Sequence, residues 1–323
     1  MEAPENLRIV DMKPKVAQFR EEIIIGLLKT PKEISPKFFY DRTGSVLFDR
    51  ITELEEYYPT RTERMILRNN IDDICSLFQD GSALVEYGSG GSSKTTEILD
   101  HCSGISTYVP LDISAAQLEE TAKRLSERYH HLKIVALCVD YTTKFEIPFL
   151  HLTGNIIALF LGSTIGNFEP EDASAFLWNV MDMLGPEDGV IIGVDLKKDP
   201  AILEAAYNDS KGITARFNLN LITRIAKEFG VGLDTDDFRH VAFYNRKMGR
   251  IEMHLEALKD MEVTLDRNVI KFRKGELIQT ENSYKYDQVE FEKMANRNGL
   301  SLEKAWKDPH GYFGLFFLRK TQG

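Results

Sequence analysis

Between Ala83 and Leu196 the chain alternates two apolar patterns. Short, nearly continuous runs of Val, Ile and Leu at Ala83–Gly88, Thr107–Ile113, Lys133–Asp140, Asn155–Gly162 and Gly189–Leu196 predict strands covered on both faces. Between them, Thr95–His101, Ala115–Tyr129 and Glu171–Leu184 carry apolar positions at helical spacing and predict helices. Such alternation predicts a parallel sheet with helices on both faces. Near the end, a helix at 287–298 precedes strands at 302–306 and 314–319, joined by the turn Asp308-Pro309-His310-Gly311. The expected result is an α/β domain whose mostly parallel seven-stranded sheet closes in an antiparallel hairpin.

The flanking patterns differ. Residues 1–15 read as a loose lead-in, and Val16, Phe19, Ile23, Leu27 and Leu28 form a helical stripe across 15–29. Four aromatics (Phe38, Phe39, Tyr40, Phe48) then fall within eleven residues, mixed with polar groups, which suits a binding wall as well as a core. In Glu56-Tyr57-Tyr58-Pro59-Thr60-Arg61-Thr62-Glu63, Pro59 is expected to break any helix, with Thr60 or Thr62 capping a helix at 63–69. From 197 to 285 the strand–helix order disappears. Helices are expected at 202–208 and 219–229, and strands at 250–257 and 270–273. This mixture predicts a second, smaller α+β domain made of 12–61 and 197–284, beside a larger one made of 62–196 and 285–323.

Length supports two domains, since 323 residues is long for a single core. The formal net charge of -10 argues against nucleic acid or an anionic membrane as partner, since both require basic patches. The amino terminus shows no basic run followed by an apolar one, and no apolar run is long enough to cross a bilayer. A cytoplasmic monomer is expected. Cys75, Cys102 and Cys138 are odd in number and lack metal-ligand spacing, so buried reduced thiols and no metal are expected.

Candidate chemistry centres on Val85-Glu86-Tyr87-Gly88-Ser89-Gly90-Gly91-Ser92-Ser93-Lys94-Thr95, a strand, a glycine turn and a helix start. The glycines let the backbone turn sharply and let a ligand approach it, while Ser92 or Ser93 can cap the helix. Three ligands fit. A phosphate loop or a dinucleotide turn would each need a small glycine-like residue where Ser93 stands. An S-adenosylmethionine turn needs an acid before the glycines and another ending the next strand, and Glu86 and Asp112 occupy those places. The nucleotide readings lack a second motif of their own, although Asp195 could serve a metal. A non-catalytic protein that keeps the cofactor fold is a third possibility.

The loop Leu161-Gly162-Ser163-Thr164-Ile165-Gly166-Asn167 makes the pattern specific. Together with the aromatic stretches near 40 and 57, Ala206-Tyr207, Arg250-Ile251-Glu252-Met253 and Thr280-Glu281-Asn282-Ser283, it resembles the histidine Nα-methyltransferases of ergothioneine biosynthesis along nearly the whole chain. That resemblance implies a Rossmann-like class I methyltransferase domain and a substrate-binding domain. It implies S-adenosyl-L-methionine as cofactor, held by Gly88, Lys94, Asp112, Asp140 and Tyr141. Asp112 would take the ribose hydroxyls, and Asp140 and Tyr141 would flank the adenine. The family often has Phe where Tyr141 stands, and the ring is kept. Tyr40, Gly162, Asn167 and Tyr207 would hold the backbone end of L-histidine. Of these, Tyr40, Gly162 and Asn167 would lie at the reacting amine. Tyr57, Glu281 and Ser283 would hold the imidazole, with Phe48 and Met253 as apolar walls. The implied reaction adds three methyl groups to the α-nitrogen and yields hercynine. The nearest alternative is the same chemistry on tryptophan, which Glu281 and Ser283 oppose because an indole cannot use both an acceptor and a donor on its ring.

Overall fold

The computed structural model describes residues 5–12, 19–90, 94–147 and 152–321. In chain order the strands are β1 (Leu7–Asp11), β2 (Lys32–Glu33), β3 (Ser82–Tyr87), β4 (Ile105–Asp112), β5 (Lys133–Cys138), β6 (Ile156–Phe160), β7 (Gly189–Asp195), β8 (Phe238–Asn245), β9 (Arg250–Ala257), β10 (Met261–Leu265), β11 (Asn268–Phe272), β12 (Leu277–Tyr284), β13 (Leu300–Lys307) and β14 (Phe313–Lys320). The chain divides into two compact units. One comprises Met1–Val16, Thr62–Leu196 and Tyr286–Gly323, and the other Ala17–Arg61 and Lys197–Lys285.

The first unit is built on one sheet in the order β1-β5-β4-β3-β6-β7-β14-β13. Strands β1 and β3 to β7 run parallel, while β14 and β13 add antiparallel at the far edge. Side chains alternate between its faces. Leu84, Tyr108, Ile134 and Leu159 pack on one side with Leu118 and Leu125 of the helix Ala115–Arg128. Val85, Val109, Val135 and Phe160 pack on the other with Phe176 and Val180 of the helix Pro170–Met183 and Phe291 of the helix Gln288–Arg297. Burial on both faces explains why these strands read as unbroken apolar runs.

The sheet has eight strands and not seven. The residues read as a lead-in include β1, which pairs parallel with β5 from Leu7↔Ile134 to Asp11↔Cys138. Asn6 anchors it by donating to the carbonyls of Ser126, Tyr129 and Leu132. An edge strand of five residues with a half-exposed face leaves little apolar signal. Two other expectations need correction. Pro59 lies inside the helix Tyr58–Asn69, as its second residue, where its missing N–H would have no helical partner anyway. Cys75, which ends the helix Ile71–Cys75, and Cys102, three residues past the helix Thr95–Leu99, are joined in a disulfide with Cα atoms 4.9 Å apart, and only Cys138 is a free thiol. Val16 and the Ser92/Ser93 cap lie outside the described residues. Among the described residues no helix is long and apolar enough to cross a membrane.

The second unit contains a four-stranded sheet, β2-β12-β9-β8, and the hairpin β10-β11. Strands β8, β9 and β12 are antiparallel neighbours, while β2 joins parallel to β12. The helix Ile213–Phe229 buries Phe217, Leu221, Ile222 and Ile225. Another helix, Pro200–Tyr207, is capped by the Asp199 side chain.

Candidate active site

In the first unit the chain runs from β3 through β4 to β5 on one side, then returns to β6 on the other side of β3. Ligands of such sheets bind beyond the carboxyl ends of the strands at this reversal. Four of the cofactor candidates stand there. Gly88 ends β3 with φ +70°, and the N–H groups of Gly88 and Ser89 both donate to the Leu111 carbonyl at the end of β4. A Cβ at Gly88 would come within 3.2 Å of the Tyr141 hydroxyl, so the turn needs glycine for its conformation and for its close neighbour.

Asp112 accepts from the Gly90 N–H at 3.3 Å and the Ser114 N–H at 2.9 Å, which aims its carboxylate across the turn. Burial raises its pKa, and those N–H groups lower it in part. The Tyr141 phenol is held above its usual range, first by burial and then by the charges of Asp112 and Asp140. Asp140 accepts from both the N–H and the hydroxyl of Thr142, which fixes the loop that carries Tyr141. Tyr141 also borders a cavity of about 520 Å³ lined with Tyr87, Phe145, Ile147, Asn179 and Met183. A half-buried acid at the end of β4, a glycine turn that a side chain would crowd and an aromatic ring beside a cavity of mixed apolar and polar lining together suit an adenosyl group.

Glu86 does not join them. Its carboxylate takes hydrogen bonds from the Thr95 and Tyr108 hydroxyls, and the residue is 5% exposed. It fastens the start of the helix Thr95–Leu99 to the sheet, so the acid before the glycines is structural in this chain. Lys94 is paired with Glu63, which is fully buried and also accepts from the Gly162 N–H at 2.8 Å. The Gly162 N–H is therefore committed inside the protein, while the lysine ammonium keeps further N–H donors. Gly162 has φ +80° and Ser163 φ 58°, and together they turn the chain into the 3-10 helix Thr164–Asn167. A non-glycine residue in the left-handed region is strained. Ser163 is held there by its hydroxyl, which accepts from the Asp195 N–H at 2.9 Å. Asn167 ends this turn, half-buried.

In the second unit the aromatic candidates form a chain of rings. Tyr40 meets Phe48 edge-on at 5.5 Å, Phe48 meets Tyr57 at 6.4 Å, and Tyr57 meets Tyr207 at 6.5 Å. Tyr40 is 46% exposed. It is steadied by Phe217, 5.8 Å away, and by Asp41, which caps the next helix through the Gly44 N–H and accepts from Asn220. Met253 on β9 pairs directly with Glu281 on β12, so their side chains share a face. Ser283, two residues along β12, lies on that face too. Among the described residues no donor meets the Glu281 carboxylate. Burial pushes its pKa up to about 7, while the charge of Lys285 pulls the other way.

Three contributors were missing from the sequence reading. Glu63 lay inside a motif but had no partner to suggest its role. Phe217 looked like ordinary helix core. Lys285 was legible in principle, since Glu281, Ser283 and Lys285 alternate along one strand direction. It is 2% exposed, with its Nζ 2.7 Å from the Ser283 hydroxyl and 3.3 Å from the Tyr207 hydroxyl.

The sheet order and the turn built from Gly88, Asp112 and Tyr141 define a class I S-adenosylmethionine-dependent methyltransferase. The solved structure of a mitomycin 7-O-methyltransferase matches this fold with a TM-score of 0.50 over 94% of this chain and 68% of that one, at 12% identity. The chain belongs to the histidine-specific, S-adenosylmethionine-dependent methyltransferases, whose family profile matches residues 19–320. A histidine N-alpha-methyltransferase of Mycobacterium tuberculosis is 40% identical over 308 residues, covering 93% of this chain and 94% of that protein. The ergothioneine biosynthesis protein 1 of Neurospora crassa is 33% identical over 302 residues, which cover 90% of this chain and 34% of that protein.

Proposed function

We propose that this enzyme methylates the α-amino group of L-histidine three times, giving hercynine for ergothioneine biosynthesis. When bound, S-adenosylmethionine supplies an electrophilic methyl group, which a neutral amine takes by direct displacement. In the first unit Asp112 is assigned to the ribose hydroxyls, Asp140 and Tyr141 to the adenine, and Gly88 and Lys94 to the rest of the cofactor. Asn167 is assigned to the amino acid's carboxylate through its NH₂. Gly162 can meet a ligand only through its carbonyl or its Cα, because its N–H is taken.

In the second unit Tyr40 is assigned to the amino-acid end, with Tyr207 beside it through its ring, because its hydroxyl proton goes to Ser283, and Tyr57, Glu281 and Ser283 are assigned to the imidazole between Phe48 and Met253. None of the assigned groups near the amine is a His or Cys, so the protein's part is placement, which can lower a barrier by roughly 7–11 kcal/mol. The observation that carries the reading is Glu281. A carboxylate that no donor meets among the described residues, beside a serine hydroxyl backed by Lys285 and among aromatic and apolar side chains, matches a ring with one N–H and one bare nitrogen.

Calorimetric titration and a turnover assay test this in sequence. S-adenosylhomocysteine should bind where ATP does not, and histidine should be consumed with S-adenosylmethionine. Binding of ATP alone would instead favour the phosphate-loop reading.

A further inference from the structure

The ring-binding face has a buried cation that the assignments above leave without a task. Lys285 donates to the Ser283 hydroxyl at 2.7 Å and to the Tyr207 hydroxyl at 3.3 Å. The Tyr207 hydroxyl donates in turn to Ser283 at 2.9 Å. All three side chains are buried, Ser283 at 3% exposure and Tyr207 at 8%. A serine hydroxyl has two acceptor lone pairs and one proton. Here both lone pairs are filled, one by Lys285 and one by Tyr207. The proton is then the only capacity left, and among the described residues no acceptor takes it.

We infer that Lys285 is a positioning residue that fixes Ser283 as a hydrogen-bond donor, so that the site accepts only a ring offering an N–H to Glu281 and a bare nitrogen to Ser283. That pair of groups is the neutral imidazole in a single tautomer. The inference rests on the proposed assignment of the imidazole to Glu281 and Ser283. A lysine is suited to the task because its ammonium has donors and no acceptor, so Ser283 cannot turn its own proton towards it. A ring with an N–H but no second nitrogen leaves the Ser283 proton unpaired in a buried site and is rejected. If Lys285 is removed, one lone pair of Ser283 is freed, the hydroxyl can rotate, and the rejection weakens.

The test compares kcat/KM for histidine with that for its pyrrole analogue, an amino acid whose ring keeps the N–H and lacks the second nitrogen. Both substrates present the same N–H to Glu281, so any effect of the lost charge on Glu281 falls on both alike and leaves the ratio unmoved. The histidine-to-pyrrole ratio should fall about tenfold in Lys285→Met, the scale of one unpaired buried hydrogen bond. Lys285→Arg, which keeps a donor, should retain most of the wild-type ratio. Ser283→Ala should lower it as Lys285→Met does, and adding Lys285→Met to Ser283→Ala should not lower it further.

A Lys285→Met enzyme that is slower on both substrates by one factor, with the ratio intact, overturns the inference and leaves Lys285 as packing. If Lys285→Met does not fold, Ser283→Ala decides, because an unchanged ratio there overturns the inference as well. Wild-type enzyme that does not turn over histidine overturns the proposed function and this inference with it. That result is distinct because it precedes any variant.

Discussion

In the proposed ring site, Glu281 carries both the specificity and a cost in stability. Its carboxyl is raised from 4.5 to about 7, mainly by burial. A group with a raised folded pKa holds its proton more tightly in the native state. The stability it lends is full below about pH 4.5 and is lost as the pH rises through about 7. The ligand-free enzyme therefore carries a strained carboxylate at neutral pH and above. Glu281→Gln, a neutral mimic, should be more stable than wild type at pH 8 by on the order of 1–3 kcal/mol, with the gap closing towards pH 5. Thermal unfolding without ligands reads this, and a gap that does not change with pH would contradict the assignment.

The same carboxylate should set specificity. Glu281→Ala should weaken histidine by on the order of 1.5–3 kcal/mol and relieve the penalty against tryptophan. The relief should be largest when Met253, its cross-strand partner, is shortened to Val. The kcat/KM ratio of histidine to tryptophan should move towards tryptophan in both variants. A ratio that stays put would remove Glu281 from the ring site. On the cofactor side, Asp112→Ala should weaken S-adenosylhomocysteine roughly tenfold to a hundredfold, as expected for a charged hydrogen bond worth ~1.5–3 kcal/mol. Histidine affinity at saturating cofactor product should change far less. Calorimetry on folded protein decides between this and an Asp112 that only shapes its turn.

Among the elements, the loop after β6 depends on a neighbour that its own sequence does not announce. Glu63 binds the Gly162 N–H and Lys94, and it fits only because Gly193 on β7 has no side chain. A Cβ at Gly193 would stand 2.1 Å from a Glu63 carboxylate oxygen. Gly193→Ala should therefore destabilise the fold by about 1–3 kcal/mol through overcrowding, a lower Tm making this visible. An unchanged Tm would show that Glu63 can move aside freely.

The central strands were legible in the sequence because burial on both faces leaves continuous apolar runs. Strand β1 was not, since an edge position with exposed residues such as Ile9 dilutes the signal. Strands β8 and β12 were missed for a related reason: nearly all of β8 is half-exposed, and β12 mixes Gln279, Thr280, Glu281, Asn282 and Ser283 into a strand. Pro59 misled because a proline that ends one helix also opens another.

For the whole molecule, the site residues were named from a family likeness spread along the chain, and periodicity alone would have found few of them. Tyr207 is far in sequence from Tyr40, Phe48 and Tyr57, yet its ring joins theirs within the second unit. Gly88, Asp112, Asp140 and Tyr141 gather at one edge of the first unit because parallel strands end side by side. Glu63 acts through partners distant in sequence, which only the folded chain reveals, while Lys285 follows a strand too polar to be recognised. The Cys75–Cys102 link was hidden as the partners of Glu63 were, since spacing does not report which residues meet.

The most direct measurement is a mass-spectrometric assay of the enzyme with S-adenosylmethionine and an equimolar mixture of the twenty amino acids. The account predicts that histidine alone is consumed, gaining one, two and finally three methyl groups on its α-nitrogen, with the trimethylated form accumulating at the end. Methylation of tryptophan or another amino acid in preference to histidine, or of a ring nitrogen in place of the α-nitrogen, would contradict it.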